Sequence, residues 1–474
     1  MERTPLMTNT LTLEVTEVTK CRRYCEFAEK IATNLTDNGA WVTLPAMCTT
    51  LHFDAALGEE FFQGLPAAPA VFALRAAQAG AEPYVSKTAN LRRRLLRLLG
   101  APADGGTTKR LSLRERVASI EYKLVGGDFE AGFVLYQWLR REFPAKYAER
   151  LHLRAAPLLH LHMENRYPRL SVTSRIRSLK GGHYYGPFAT RAEADEYANN
   201  SLDFFLLRRC TEELTPDGKF PGCVYSEMKM CLAPCNLGCT DERYAEESAR
   251  VEQYLGSAGH SLFVEIGRLR DAASERLEFE TAAAEHARLE KVKAVQQHVA
   301  EIVRRVDQLN GVLLQPSHQE GHIELFPIVG GMICHPVAFN VMPRPALAEK
   351  SAEGQPQTSA PHAESPNTNH SAGQPARTTV PQSMEARLHL ALAGAQPAQP
   401  HSATEWMEHL ALLKRWYYRT AKVGEIFFED EHHALPMRRV VRAVGRVYKG
   451  EKPAGELNET AGDYWAFRAK EAGL

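Results

Sequence analysis

The stretch GAEPYVSKTANLRRRLLRLLG, residues 80–100, joins a short apolar strand to an amphipathic helix. Leu91, Leu95 and either Leu98 or Leu99 recur at helical spacing and predict one apolar face. The other face of this helix carries four cations: Arg92, Arg93, Arg94 and Arg97. Guanidinium groups in such a row can contact the phosphate backbone of DNA, although arginines on a helix face are more often only solvated. We therefore treat these four arginines as candidate DNA-binding residues.

Strand and helix signals alternate around this stretch. The apolar runs AVFAL (70–74), PYVS (83–86) and VASIEYKLV (117–125) predict strands. The run EAGFVLYQWLRREF (130–143) predicts a second amphipathic helix. Together these patterns predict an αβ domain in which the arginine-rich helix follows directly on a strand.

Composition limits the classes of protein that fit. A chain of 474 residues exceeds one ordinary core, so we expect several domains of mixed α+β class. Lys plus Arg equals Asp plus Glu, 57 each, so any nucleic-acid contact must come from a local basic patch. We see neither a signal peptide nor an apolar run of membrane-spanning length, and we expect a cytoplasmic protein without a membrane partner.

Cysteines are concentrated in one short segment. Of nine in the chain, five fall close together: Cys210, Cys223, Cys231, Cys235 and Cys239. In a reducing compartment such a group indicates metal ligands rather than disulfides. The spacing is not the paired C-x-x-C spacing of common zinc modules, so thiolates here suit either an iron–sulfur cluster or zinc.

The rest of the chain gives coarser signals. Residues 150–209 contain alternating strands, and His160 and His162 fall on the same face of one of them. Two such histidines could bind a metal, although surface histidines with ordinary hydrogen-bond partners are the commoner explanation. Residues 241–300 are strongly helical, and GSAGHS (256–261) divides them into a predicted hairpin.

These signals divide the chain into eight predicted segments. They are an N-terminal extension (1–60), the αβ domain (61–150), a strand-rich extension of it (151–209), a Cys-rich segment (210–240), a helical hairpin (241–300), a small β region (301–342), a disordered linker rich in Pro, Ser and Ala (343–403) and a helix–strand coda (404–474). The linker cannot bury enough apolar surface to offset its ordering entropy.

Several motifs in order resemble the UvrC family, the nuclease subunit of bacterial nucleotide excision repair. The motifs are LPAAPAVFAL, PYVSKTANLRRRL, YPRLSVTSR, HYYGPFATRAEA, LLRRC, FPGCVYSEMKMCLAPC and AASERLEFETAAAEHARLEKV. The resemblance implies that the αβ domain is a GIY-YIG-like nuclease domain. It also implies the hairpin-like UVR element through which UvrB and UvrC pair.

The resemblance identifies which catalytic positions are kept. Tyr84, Lys87 and Arg94 match residues of the family site. The tyrosine that deprotonates the attacking water falls at Phe72, and the metal-holding glutamate falls at Tyr136, or at Leu135 if the register slips by one. Glu130 is about 600° away along the helix and cannot easily substitute. Mg²⁺ is expected only if the site is active.

The resemblance also assigns the cysteines and the hairpin. The four cysteines that match the family positions imply a [4Fe-4S] cluster, with zinc as the alternative: Cys210, Cys223, Cys231 and Cys235. Cys239 is an addition. The UVR-like motif implies that a UvrB-type partner binds four residues of the hairpin: Leu277, Phe279, Glu280 and Ala283. The alternative is a hairpin that packs only within this chain.

Two functions therefore compete at this stage. UvrC has a second nuclease domain of ribonuclease H type and helix-hairpin-helix elements, and we find no counterpart of either here. The first hypothesis is a repair protein that binds DNA, a UvrB-type partner or both, with weak or no incision. The second is a short UvrC-like DNA endonuclease with a rearranged GIY-YIG site. A redox or structural protein that reuses the cluster is a third class.

Overall fold

The computed structural model describes residues 48–78, 80–101, 113–177, 182–342, 383–393 and 402–451. Most of the predicted N-terminal extension and most of the predicted linker lie outside these residues. Within them the fold is a mixture of helices and three antiparallel sheets. The α+β class predicted from the sequence is confirmed.

The first sheet is four-stranded and has the order β1–β4–β2–β3. Its strands are Thr49–His52 (β1), Ala70–Ala76 (β2), Tyr84–Thr88 (β3) and Val117–Leu124 (β4). The helices of this region are Glu59–Gln63 (α1), Leu91–Leu99 (α2), Asp128–Glu142 (α3) and Tyr147–Leu151 (α4). Each of the predicted strands and both predicted amphipathic helices are therefore present.

The first sheet is a layer between α2 and α3. Phe72 is buried with Leu95 of α2 on one face, whereas Val71 is buried with Trp138 of α3 on the other. This division follows from the period of two in a strand, which sends neighbouring side chains to opposite faces. The side chain of Asn90 caps α2 by accepting a backbone N–H from its first turn. The functional side chains of this region are thereby sorted between two faces.

The second sheet has the order β6–β5–β7–β8 and its own core. Its strands are Leu158–Leu161 (β5), Leu170–Thr173 (β6), His183–Gly186 (β7) and Arg304–Arg305 (β8). Its helices are Arg191–Leu202 (α5), Val224–Glu227 (α6), Asp241–Gly256 (α7), His260–Glu275 (α8) and Phe279–Gln297 (α9). The strands predicted to extend the first domain thus form a separate sheet. Its edge strand β8 pairs with β7 and follows helix α9 in the chain.

The helical region contains one more break than the sequence predicted. The predicted break lies between α7 and α8, at residues 257–259. A second break at residues 276–278 separates α8 from α9, with Leu277 at a φ of 61°. The hairpin consists of α8 and α9, and α7 is a third helix. Neither Gly nor Pro marks the second break, which is why the sequence pattern did not reveal it.

The third sheet has the order β11–β10–β9–β13, and β12 also pairs with β10. Its strands are Gly311–Pro316 (β9), His322–Val329 (β10), Met332–Ile333 (β11), Val337–Asn340 (β12) and Glu425–Phe428 (β13). The remaining helices are Met384–Ala393 (α10), Ala403–Tyr417 (α11) and Met437–Lys449 (α12). The small β region and the coda of the sequence analysis therefore contribute to one sheet.

Helices cover both faces of the third sheet. Buried residues of α10 and α12 pack on one face, and α11 and α3 pack on the other. Leu388 of α10 is fully buried, although it lies in the segment predicted to be a disordered linker. Phe326 of β10 makes edge-on contact with Phe129 and Phe133 of α3, with ring centroids 5.1 and 6.2 Å apart. Among the described helices, none is long and apolar enough to cross a membrane.

Candidate functional sites

One face of the first sheet holds the predicted phosphate site. Arg94 donates a hydrogen bond from Nη2 to the Tyr84 hydroxyl at 2.9 Å. Phe72 lies on the same face because it pairs with Ser86, two residues along the strand from Tyr84. Its side chain is fully buried, and its ring centroid is 6.1 Å from that of Tyr84. The structure therefore brings Tyr84 and Arg94 together beside a ring that has no hydroxyl.

The four arginines of α2 differ in how far they are engaged. Arg92 donates from Nε to the Leu65 carbonyl at 2.7 Å, and Arg94 is engaged with the tyrosine. Arg93 and Arg97 are exposed. Within the described part of the chain, their guanidinium groups have no ion pair or hydrogen bond. Two of the four cations are thus free to contact an external anion.

Lys87 lies on the opposite face of β3 from Tyr84. It pairs with Val71, whose side chain faces α3. Lys87 is exposed, but neighbouring atoms crowd its ammonium group, and this loss of solvation lowers its pKa. Asp128 opposes the shift and nearby arginines add to it. The predicted catalytic set is therefore divided, since Tyr84 and Arg94 meet and Lys87 lies across the sheet.

The positions aligned with the family's metal ligand lie in α3. Tyr136 is 2% exposed, and its hydroxyl donates to Glu408 Oε2 at 2.8 Å and accepts from Arg140 Nη1 at 2.9 Å. Burial, followed by the Glu408 carboxylate, raises the pKa of Tyr136. Leu135 is half-buried against the apolar cluster between α3 and the sheet. Neither side chain is a carboxylate, and Tyr136 links α3 to α11.

Glu130 belongs to the start of α3. It is 2% exposed, and its Oε2 accepts a hydrogen bond from the Gly126 N–H at 2.8 Å. Desolvation raises its pKa to about 7, the Gly126 hydrogen bond opposes this, and Glu324 adds to it. The carboxylate is therefore committed to the turn that precedes the helix.

The two elements that carry Tyr84 and Arg94 have no acidic side chains. Neither strand β3 nor helix α2 contains an aspartate or a glutamate. The buried strand side chains that share this face are aliphatic or aromatic: Phe72, Leu74, Ile120 and Tyr122. A hard divalent cation needs oxygen ligands, and neither α2 nor these strand positions supply a carboxylate.

The Cys-rich segment brings its predicted ligands near one another. Burial raises the pKa of the Cys231 thiol to about 11, with further contributions from Cys210, Cys235 and Cys223. Burial also raises the pKa of Cys239, and among the other four only Cys235 contributes there. All five are free thiols. The thiols of Cys210, Cys223 and Cys235 therefore lie near that of Cys231, and Cys235 alone of the four lies near that of Cys239.

Helix α7 anchors the segment. Glu247 Oε1 accepts from the Leu206 N–H at 2.8 Å, and the Tyr244 hydroxyl accepts from the Arg208 N–H at 3.0 Å. Within the segment, the Ala233 N–H points at Cys231 Sγ at 3.3 Å. No three of the five sulfurs, all of which are described, lie within 4.8 Å of one another. A tetrahedral zinc ion holds its sulfurs about 3.8 Å apart, and no three of these sulfurs are grouped that closely.

The predicted partner-binding residues lie at the tip of the α8–α9 hairpin. Leu277 is 71% exposed and Phe279 is 67% exposed. Glu280 and Ala283 are exposed in the first turns of α9. Further along α9, Leu289 is buried in the second core. The hairpin is therefore anchored at its base and presents apolar side chains at its tip.

One segment of the chain is similar to a known family. Residues 156–254, which contain β5, β6 and β7 of the second sheet, most of α7 and all five clustered cysteines, match the model of the UvrC/Cho excinuclease middle domain. The class that this segment resembles is therefore the UvrC/Cho excinucleases.

Whole-chain comparison gives the particular relatives. The chain is 27% identical over 261 residues to UvrABC system protein C of Rickettsia bellii, covering 54% of this chain and 39% of that protein. It is 26% identical over 237 residues to UvrABC system protein C of Ruminiclostridium cellulolyticum, covering 50% and 38%. The chain is related to UvrC over about half its length, and the match spans less than two-fifths of these relatives. No solved structure matches significantly.

Proposed function

We propose that this UvrC-related protein is a nucleotide excision repair factor that binds DNA, a UvrB-type partner or both, and incises DNA weakly or not at all. The observation that carries the proposal is the buried, hydroxyl-free ring of Phe72 beside the Tyr84–Arg94 pair. In the GIY-YIG family a tyrosine at this position removes the proton of the attacking water. Phenylalanine cannot accept a proton.

The loss of a base and a metal ligand together has a large kinetic cost. A positioned general base alone contributes roughly 10²- to 10⁴-fold to a rate, and a metal that stabilises charge contributes separately. Tyr136 and Leu135 supply no carboxylate, and Tyr136 is engaged with Glu408 of α11. The packing of α11 against α3 uses the very side chain that aligns with the lost ligand.

DNA binding is supported by the cations that remain. Arg93 and Arg97 are exposed on α2, close in sequence to Arg94. A cation can contact a DNA phosphate without the exact placement that base recognition requires. A chain of zero net charge gains such contacts only where the cations are locally concentrated.

Partner binding is supported by the hairpin tip. Leu277 and Phe279 are large apolar side chains left exposed where the chain turns between two helices. Exposed apolar groups of this size favour a macromolecular contact. The UvrB-type partner comes from the resemblance of this element to the UVR motif.

The Cys-rich segment is proposed to hold an iron–sulfur cluster. The support is that Cys210, Cys223 and Cys235 lie near enough to Cys231 to raise the pKa of its thiol, and that cysteine thiolates are the ligands of such clusters. Bound there, the cluster would stabilise the loop between α5 and α7. Cys210, Cys223, Cys231 and Cys235 would be its ligands.

An incision assay tests the central claim. Purified full-length protein is incubated with lesion-containing duplex DNA and Mg²⁺ or Mn²⁺, with and without a UvrB-type protein. We expect no metal-dependent strand cleavage. Cleavage that is lost in Arg94→Ala but kept in Arg93→Ala would contradict the proposal, because only Arg94 contacts Tyr84.

That result would support the second hypothesis, a short endonuclease with a rearranged site. The observation in its favour is the intact Tyr84–Arg94 hydrogen bond, in which the remaining tyrosine could take over the role of base.

A further inference from the structure

The turn between β5 and β6 groups three side chains that can bind a metal ion. His160 lies within β5, His162 directly follows the last residue of that strand, and Glu164 lies in the turn. Among the described residues this is the one set of three His, Cys, Asp or Glu side chains whose ligand atoms all lie within 4.8 Å of one another. Two imidazoles and one carboxylate form a donor set that zinc accepts.

The distances suit a single ion between the three groups. Glu164 Oε1 is 3.1 Å from His162 Nδ1 and 3.9 Å from His160 Nε2. Ligands on a tetrahedral zinc ion are separated by about 3.3 Å, because the metal–ligand bonds are about 2.0–2.1 Å long. Small rotations of an exposed glutamate side chain would equalise the two distances.

Neighbouring side chains hold both imidazole rings in place. His162 Nε2, the nitrogen that faces away from Glu164, lies 2.8 Å from Ser171 Oγ. A metal-bound histidine usually donates its second ring N–H to such an oxygen, which orients the ring. The ring of His160 stacks on Tyr184, with centroids 4.2 Å apart and planes within 14°. His160 is 8% exposed, so its orientation is set by packing.

We propose that His160 Nε2, His162 Nδ1 and the Glu164 carboxylate bind a divalent transition-metal ion, with Zn²⁺ the best match. Three protein ligands leave one tetrahedral position open to solvent, since Glu164 is exposed. Arg169 and Arg177 are the cations near both imidazoles, and they disfavour a weakly held cation. The site therefore requires direct imidazole coordination, which excludes Mg²⁺ and Ca²⁺.

The site is independent of the proposed repair function and of the cysteine segment. Cobalt(II) separates the two metal sites, because thiolate ligands give an intense sulfur-to-cobalt charge-transfer band and imidazole and carboxylate ligands give only weak visible bands. The experiment titrates metal-stripped full-length protein with Co²⁺ and measures bound metal per chain after dialysis. Competition with Zn²⁺ then gives the affinity.

Three variants and one control define the result. We expect Glu164→Gln and His162→Gln to lose one equivalent of cobalt and its weak visible bands, and to keep any thiolate band. Ser171→Ala should weaken the affinity by about 10- to 100-fold, as removal of a group that orients a ligand does. His286→Ala, which removes an exposed histidine of α9, should change nothing.

The alternative is a histidine pair with a purely structural role. In that case Glu164→Gln, His162→Gln and the wild-type chain would bind the same number of cobalt ions, and every band would be of thiolate type. That outcome overturns the proposal. Circular dichroism of the metal-free variants confirms that they are folded, which is expected because Glu164 is exposed and His162 is only half-buried.

Discussion

Replacement of two arginines of α2 should reduce the salt dependence of DNA binding by a defined amount. Arg93 and Arg97 are exposed and have no partner among the described residues, whereas Arg92 and Arg94 are engaged with Leu65 and Tyr84. Arg93→Ala combined with Arg97→Ala therefore removes two phosphate contacts without breaking a bond within the protein. The fold should be unaffected.

The size of the effect follows from counterion release. Each phosphate contact contributes about 0.9 to the slope of log affinity against log salt, so two contacts contribute about 1.8. Between about 50 and 200 mM KCl, the wild-type affinity should therefore fall roughly 12-fold further than that of the double variant. The two proteins should bind most similarly at high salt.

Fluorescence anisotropy with a labelled duplex, measured at several KCl concentrations, gives both slopes. Arg268→Ala with Lys291→Ala is the matched control, because it removes two exposed cations from α8 and α9. We expect the control to keep the wild-type slope. Parallel slopes for the wild type and the α2 variant, or an equal loss in the control, would show that α2 is not the DNA-binding surface.

Three further predictions address the other elements. Glu130→Gln should raise the free energy of unfolding above pH 7 by up to about 3 kcal/mol, because the folded-state pKa of this carboxyl, about 7, exceeds its usual 4.5. In urea titrations, the free energy of unfolding of the wild type should rise as the pH falls from about 7 to 4.5, and that of the variant should not. Cys231→Ser should abolish the visible absorbance and iron content of anaerobically purified protein, and Cys239→Ser should keep both. If the two variants keep the same iron content, Cys231 is not a ligand. Phe279→Ser should weaken the capture of a UvrB-type protein at an unchanged melting temperature, whereas Val423→Ser, at another exposed apolar position, should not. If both variants capture as much of that protein as the wild type, the hairpin tip does not bind it.

Local patterns predicted the first domain well. The leucine spacing predicted the buried face of α2, and the structure buries Leu91, Leu95, Leu98 and Leu99. The apolar runs predicted β2, β3 and β4. Tyr84 and Lys87 are three residues apart in one strand, so their side chains must lie on opposite faces of the sheet. The motif comparison alone does not show this.

Contacts between distant segments could not be predicted in this way. Strand β13 pairs with β9 across more than a hundred residues, and nothing in the alternation of either strand specifies its neighbour. Glu408 looks like a solvated residue of an amphipathic helix, yet it accepts hydrogen bonds from Tyr136 and Tyr147 at 2.8 and 2.5 Å. Likewise, Glu164 joins His160 and His162 only through the bend of a turn.

The packing of α11 against α3 bears directly on the proposed loss of a metal ligand at Tyr136. Tyr136 has a structural role of its own, because its ring is buried and its hydroxyl forms hydrogen bonds with Arg140 and Glu408. A glutamate there would add a third carboxylate beside Glu405 and Glu408, and the neighbouring cation, Arg140, is already paired with Glu405. A buried charge without its own partner is strongly destabilising. Position 136 therefore cannot serve both purposes. A tyrosine there stabilises the contact between α3 and α11, whereas a metal-dependent nuclease site would need a glutamate at the same position.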